Sequence, residues 1–155
     1  MQSEVSTRPT FAEFVERREA GLRHALMAEL GYEVGRDAAA QALLYGLENW
    51  ERVSNMENPA GYLFRMGQRW GRRQRRRSFV FGQPASSHDP WFEPGLESAL
   101  RSLPVKQRMA VVLRHGLDLS YPEIASMTNQ SETAVRKSVQ RALARLREAL
   151  EVEDE

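Results

Sequence analysis

Apolar residues along this chain recur at three- and four-residue steps, the spacing that lines one side of a helix. Phe11, Phe14, Val15, Leu22 and Leu26 share such a face, and Thr10 stands before them as an N-cap, which predicts a helix from Thr10 to about Leu30. Gly31 and Gly35 bracket a break, after which Asp37 to about Arg52 reads as a second, alanine-rich helix with Leu43, Leu44, Leu47 and Trp50 as its apolar anchors. Val53–Glu57 is a polar loop. Asn58 followed by Pro59 supplies a cap and a proline at the first helical position, opening a third helix that runs on into a tract of arginines. Residues 78–95 carry three prolines and two glycines without a helical period, which predicts a linker. A last set of three or four helices begins near Leu96. The pattern is that of an all-α chain, with two small helical domains at 1–77 and 96–155 joined by the linker at 78–95.

The sharpest local signal lies near the C-terminus. Tyr121–Met127 is a short helical segment, Thr128–Gln130 a tight turn, and Ser131 the N-cap of a long helix whose apolar stripe is Val135, Val139, Ala142, Leu143, Leu146 and Leu150. Asn129 suits the turn because asparagine tolerates the left-handed conformation. Glu132 lies where the helix dipole favours an anion. The opposite face carries Arg136, Lys137, Gln140, Arg141 and Arg145. Two helices joined by such a turn, the second basic on its outer side, form a helix-turn-helix able to lay one helix in the DNA major groove.

Composition narrows the class. In 155 residues, 41% hydrophobic and 28% charged, there is material for one domain or two small folded ones. No apolar run reaches the length of a membrane span, and the first residues, MQSEVSTRPTF, lack an apolar signal core, so a cytoplasmic protein is expected. Cysteine is absent, which excludes disulfides, cysteine nucleophiles and zinc fingers. The net charge of +1 conceals an uneven distribution: residues 65–77 hold seven arginines and no acid. Arginine's planar fork suits phosphates and base edges better than a point charge does. Tyr62, Phe64 and Trp70 interleave with this tract; aromatic rings can stack on unpaired bases, although Phe64 reads as core. His24, His88 and His115 are scattered with no second ligand at metal spacing. With no phosphate-cradling glycine loop, nucleophile elbow or acid/base carboxylate pair, no catalytic residue, metal, cofactor or enzymatic activity is expected.

Leu103-Pro104, Arg108, Val112-Leu113, Ser120-Tyr121, Glu123-Ile124-Ala125, Ser131-Glu132, Val135 and Arg141-Ala142 stand at a familiar spacing. Through them the chain resembles the extracytoplasmic-function group of bacterial RNA polymerase sigma factors. The resemblance extends, more thinly, over the N-terminal half. It implies a transcription initiation factor that binds core RNA polymerase and recognises −10 and −35 promoter elements, with a sigma region 2-like domain at 1–77 and a region 4-like domain at 96–155. It also implies an anti-sigma factor or other regulatory protein as a partner.

By that resemblance, the helix from Ser131 reads the −35 element through Ser131, Glu132, Thr133, Arg136, Lys137, Gln140 and Arg141. The −10 element falls to Arg52, Ser54, Asn55, Arg65, Arg69, Arg72, Arg73 and Arg76. Ser54 and Asn55 lie in a loop suited to hydrogen-bonding a flipped base. Asp37, Gln41, Leu44 and Tyr45 fall where the family docks on the polymerase clamp. Several positions depart from the family's pattern: Ala38 and Ala42 replace usual acids, Tyr62 a usual tryptophan, and Arg69 and Arg73 a usual asparagine and aspartate. These departures open a second reading, a sigma-like DNA-binding regulator that does not productively bind core polymerase.

Overall fold

In the computed structural model, which describes residues 7–80 and 95–153, every regular element is a helix. The first is α1 (Phe11–Leu30), capped as expected: the Thr10 hydroxyl accepts from the Glu13 amide at 3.2 Å. α2 (Tyr32–Glu48), a single turn α3 (Trp50–Val53) and α4 (Pro59–Val80) complete an N-terminal group. α5 (Leu96–Ser102), α6 (Val105–Val111), α7 (Tyr121–Thr128) and α8 (Glu132–Glu153) form a second group, and α6 runs on into a π-helical turn at Val112–Gly116. Of the linker expected at 78–95, residues 78–80 instead continue α4 and Gly95 begins α5, while 81–94 lie outside the described residues.

Three details of the N-terminal group differ from the pattern read in the sequence. The break after α1 is Gly31 alone, with φ 92°, and Gly35 lies inside α2. Gly35 is where α1 and α2 touch: a Cβ there would stand 2.4 Å from Met27 Cα and 2.6 Å from the Leu26 carbonyl oxygen. Only glycine lets the two backbones approach so closely.

That close crossing also turns α2 about its axis. Its buried face is Ala38, Ala39, Ala42 and Gly46, while Leu44 and Leu47, expected as apolar anchors, are 48% and 56% exposed. The alanines at 38 and 42 are therefore core residues and take no part in the outer face of α2. Finally, α2 stops at Glu48, because Asn49 (φ −125°) redirects the chain into α3. Trp50 then packs on Phe11 and Phe14, with ring centroids 5.4 and 5.0 Å away. Val53 is buried rather than part of a polar loop.

α4 begins with the expected cap, the Gly61 amide donating to Asn58 Oδ1 at 2.9 Å. It crosses α1 and α2 with Leu63 and Phe64 fully buried. In the C-terminal group, Leu113, Leu117, Leu119, Ile124, Val135 and Val139 form the centre of the core. The two groups meet directly. Arg18 Nη1 donates to the Leu117 carbonyl at 2.7 Å, and a Cβ at Gly21 would lie 2.6 Å from the Gly116 carbonyl oxygen. Glu29, with its side chain 7% exposed, accepts from Gln68 Nε2 at 3.3 Å and pairs with Arg72 at 3.3 Å and, more distantly, with Arg108 at 3.7 Å. A carboxylate so buried requires such partners.

Candidate nucleic-acid interface

The helix-turn-helix is assembled from local rules. Ser120 and Glu123 form a reciprocal capping box at the start of α7: the Ser120 hydroxyl accepts from the Glu123 amide at 3.2 Å, and Glu123 Oε1 accepts from the Ser120 amide at 2.9 Å. α7 runs one residue further than expected, to Thr128, and ends at Asn129 in the left-handed conformation (φ 54°, ψ 47°). Ser131 then caps α8, its hydroxyl accepting from the Ala134 amide at 3.1 Å. The buried stripe Val135, Val139, Ala142 and Leu146 seats α8 against the rest of the C-terminal group. Ser131, Glu132, Thr133, Arg136, Lys137, Gln140 and Arg141 are consequently all exposed, on the first three turns of the helix. At 1.5 Å per residue they span about 15 Å, a length that fits within a major groove. Ser120→Ala removes one half of the capping box and is expected to lower stability by about 1 kcal/mol in urea denaturation, with the slope of the transition unchanged.

The N-terminal candidates divide into three sets. Arg69, Arg73 and Arg76 are exposed and fall at four- and three-residue steps on α4, so they share one face. Trp70, Arg73, Gln74, Arg76 and Arg77 line an open groove of about 500 Å³. Arg72 is exposed but leans towards Glu29. Arg65 points away from that face: its guanidinium donates to the Met127 carbonyl at the end of α7 and to Gln68 Oε1 at 3.3 Å. Burial, then the Arg72 and Arg69 charges, push its pKa below the ordinary arginine value. Arg65 thus joins the two helical groups rather than the outer basic face.

Ser54 and Asn55 both donate to the Glu51 carbonyl, closing the end of α3. Arg52 lies over Tyr45 and Tyr62, 5.6 and 5.8 Å from their ring centroids, and donates to the Tyr45 hydroxyl. Asp37, Gln41 and Leu44 are exposed on α2 and Tyr45 half-buried. Gln41, Leu44 and Tyr45 line a cleft of about 210 Å³ with Ala42, Glu48, Met66 and Trp70. The structure therefore joins Tyr45, expected to face polymerase, to Arg52, expected to face DNA.

Two further residues of this surface went unread in the sequence, Tyr121 and Arg114. The guanidinium carbons of Arg114 and Arg136 lie 4.7 and 4.5 Å from the centre of the Tyr121 ring. No local spacing signals a contact across fifteen residues; only the folding of α7 onto α8 creates it. Of the histidines, His24 has its pKa lowered by burial and by Arg23, with Glu19 opposing; His115 is exposed, and His88 lies outside the described residues. No metal-binding group of His, Asp and Glu occurs among the described residues, and no helix there is long and apolar enough to cross a membrane.

Residues 95–146, from the start of α5 into the second half of α8, match the family described as sigma-70, region 4. Over 93% of its length the chain is 32% identical to the RNA polymerase sigma-E factor of Streptomyces avermitilis, covering 87% of that protein. The same identity and coverage of this chain hold for the sigma-E factor of Streptomyces coelicolor, of which 88% is covered. The chain belongs to the extracytoplasmic-function group of RNA polymerase sigma factors. As a sigma factor it serves transcription initiation, and the reading as a regulator divorced from polymerase is not favoured. Its relatives are initiation factors rather than enzymes.

Solved structures share the fold. The sigma factor RpoE in complex with the anti-sigma factor NepR, from Bartonella quintana, has a TM-score of 0.71 at 19% identity, over 92% of this chain and 97% of that one. CnrH in complex with the cytosolic domain of CnrY has a TM-score of 0.60 at 20% identity, over 92% and 88%.

Proposed function

We propose that this sigma factor reads a −35 promoter element with the exposed face of α8 and engages the −10 region with the basic face of α4. The carrying observation is that all seven candidate residues of α8 face outward from a fully capped helix-turn-helix. Arg136 and Lys137 are best sited for base edges, being close to the N-terminal end of α8, while Gln140 and Arg141 lie a turn further on. On α4 the working set is Arg69, Arg73 and Arg76, extended by Arg77 and the ring of Trp70; Arg72 contributes when it leaves Glu29. Arg52 contributes from its place beside two tyrosines, and Ser54 and Asn55, whose donors are used on the Glu51 carbonyl, keep side-chain oxygens able to accept from a base. The N-terminal group, through the end of α4 at residue 80, acts as the region 2-like unit and the group from Gly95 onward as the region 4-like unit, with 81–94 as the tether between them.

Core RNA polymerase docks on the outer face of α2, at Asp37, Gln41, Leu44 and Tyr45. Leu44 and Leu47 supply apolar surface and Asp37 and Glu48 supply charge. Polymerase provides the chemistry, so this chain carries no catalytic residue, cofactor or metal and works in the cytoplasm. An anti-sigma factor is the expected regulatory partner, in keeping with the complexes formed by its structural relatives.

Retention of the full chain on immobilised core polymerase tests this reading; failure to be retained, where a known sigma factor is retained, overturns it. Leu44 is half exposed in the free protein, so Leu44→Asp is expected to weaken retention about tenfold with the melting temperature unchanged. A fall in melting temperature matching the loss of retention would instead mark Leu44 as a residue of the fold.

A further inference from the structure

Among the described residues, Arg136 is the one α8 candidate whose charged group lies over an aromatic ring. That ring, Tyr121, belongs to the other helix of the motif. It is fixed from two directions. The capping box of Ser120 and Glu123 sets the backbone on which Tyr121 stands as the first helical residue. Arg114, whose Nη1 donates to the Leu119 carbonyl at 3.0 Å, holds its own guanidinium 4.7 Å from the ring centre. Arg136 then lies 4.5 Å from the same centre, and no hydrogen bond from it is present among the described residues.

A guanidinium stacked on a ring uses its flat face and keeps its in-plane N–H donors available. Two parallel donors held in one plane are what a bidentate contact with guanine O6 and N7 requires. An unsupported arginine on an exposed helix samples many rotamers, and ordering it on DNA costs part of the contact's benefit. The ring removes that cost beforehand.

We infer that Tyr121 is a positioning residue for promoter readout: it holds Arg136 in the plane from which its fork reads one guanine of the upstream element. This rests on the proposed reading of that element by α8. Tyr121 itself need touch no base. Its contribution is to preference at one base pair, so losing the ring relaxes that preference while contacts made by Lys137, Gln140 and Arg141 persist.

The test is selection from a randomised duplex library by the full chain assembled with core polymerase, comparing base preference at each position. Arg136→Ala is expected to flatten one guanine column. Tyr121→Leu is expected to flatten the same column roughly fivefold, the size of a partly exposed cation–π contact, and to have no further effect when combined with Arg136→Ala. Tyr121→Phe retains the column. Pentafluorophenylalanine at position 121 keeps the ring's shape, reverses its charge distribution and loses the column; this comparison decides the matter even where Tyr121→Leu fails to fold. If the parent enriches no sequence, or Arg136→Ala changes no column, the assigned readout by α8 fails and the inference with it. If Arg136→Ala flattens a column that the fluorinated ring leaves intact, the readout stands and the positioning role of Tyr121 is overturned.

Discussion

Replacing Arg69, Arg73, Arg76 and Arg77 together with glutamine is expected to weaken binding to forked promoter DNA on the order of 100-fold at 0.2 M salt. These four arginines are exposed on α4, and none is held by a carboxylate among the described residues. Each phosphate contact releases counterions, so four contacts to single-stranded backbone give log affinity a slope against log salt of about −3. A slope of that size between 0.2 M and 1 M salt corresponds to roughly two orders of magnitude. Fluorescence anisotropy across a salt series measures both quantities, and the slope of the variant is expected to be flatter by about 3. An unchanged slope would show that this face of α4 does not meet DNA. Arg72 and Arg75 make a useful contrast, since both lean towards Glu29 and their replacement should change the slope less.

Gly35→Leu is expected to destabilise the N-terminal group by about 3 kcal/mol, the upper part of the range for overpacked cores. The obstacle is backbone on both sides: Met27 Cα and N and the Leu26 carbonyl oxygen would lie 2.4, 2.5 and 2.6 Å from the added Cβ. No rotamer change relieves such a clash, so α1 and α2 must separate along the face formed by Ala38, Ala39 and Ala42. Thermal unfolding should show a fall of about 10 °C for a chain of this size. Ala40→Leu, on the exposed side of the same helix, is the control and should stay within about 0.5 kcal/mol of the parent. Equal melting temperatures for Gly35→Leu and the parent would contradict the close crossing of α1 and α2.

Where sequence reading and structure agree, the governing interactions span only a few residues. Thr10, Asn58 and Ser131 cap the helices they were expected to cap, because a cap joins a side chain to a backbone amide two or three residues on. The turn at Asn129 was legible for the same reason, and so was the outward face of α8: its apolar stripe is unambiguous, and the opposite face follows by geometry. Where they differ, packing between distant segments decided. In α2 both the leucines and the alanines are spaced to form a face, and hydrophobicity favours the leucines. Gly35 chose the alanines, since only small residues fit where the backbones of α1 and α2 nearly touch.

The arginines show the same division. Their concentration in residues 65–77 is a property of sequence alone, and it marked the basic element correctly. Which of them remain available is a tertiary matter. Arg65 reaches the Met127 carbonyl and Arg72 reaches Glu29, while Arg69, Arg73, Arg76 and Arg77 are exposed and held by no carboxylate among the described residues. Tyr121 was visible only as part of a motif until α7 folded beneath α8 and brought Arg136 onto its ring. By itself the sequence determined the all-α class, the caps at Thr10, Asn58 and Ser131, the helix-turn-helix and the family, because these rest on residue type and short spacing. The tertiary structure alone decided which face of α2 is core, which arginines are committed to the fold and which ring lies against Arg136. Those outcomes depend on contacts between residues far apart in the chain, where periodicity carries no information.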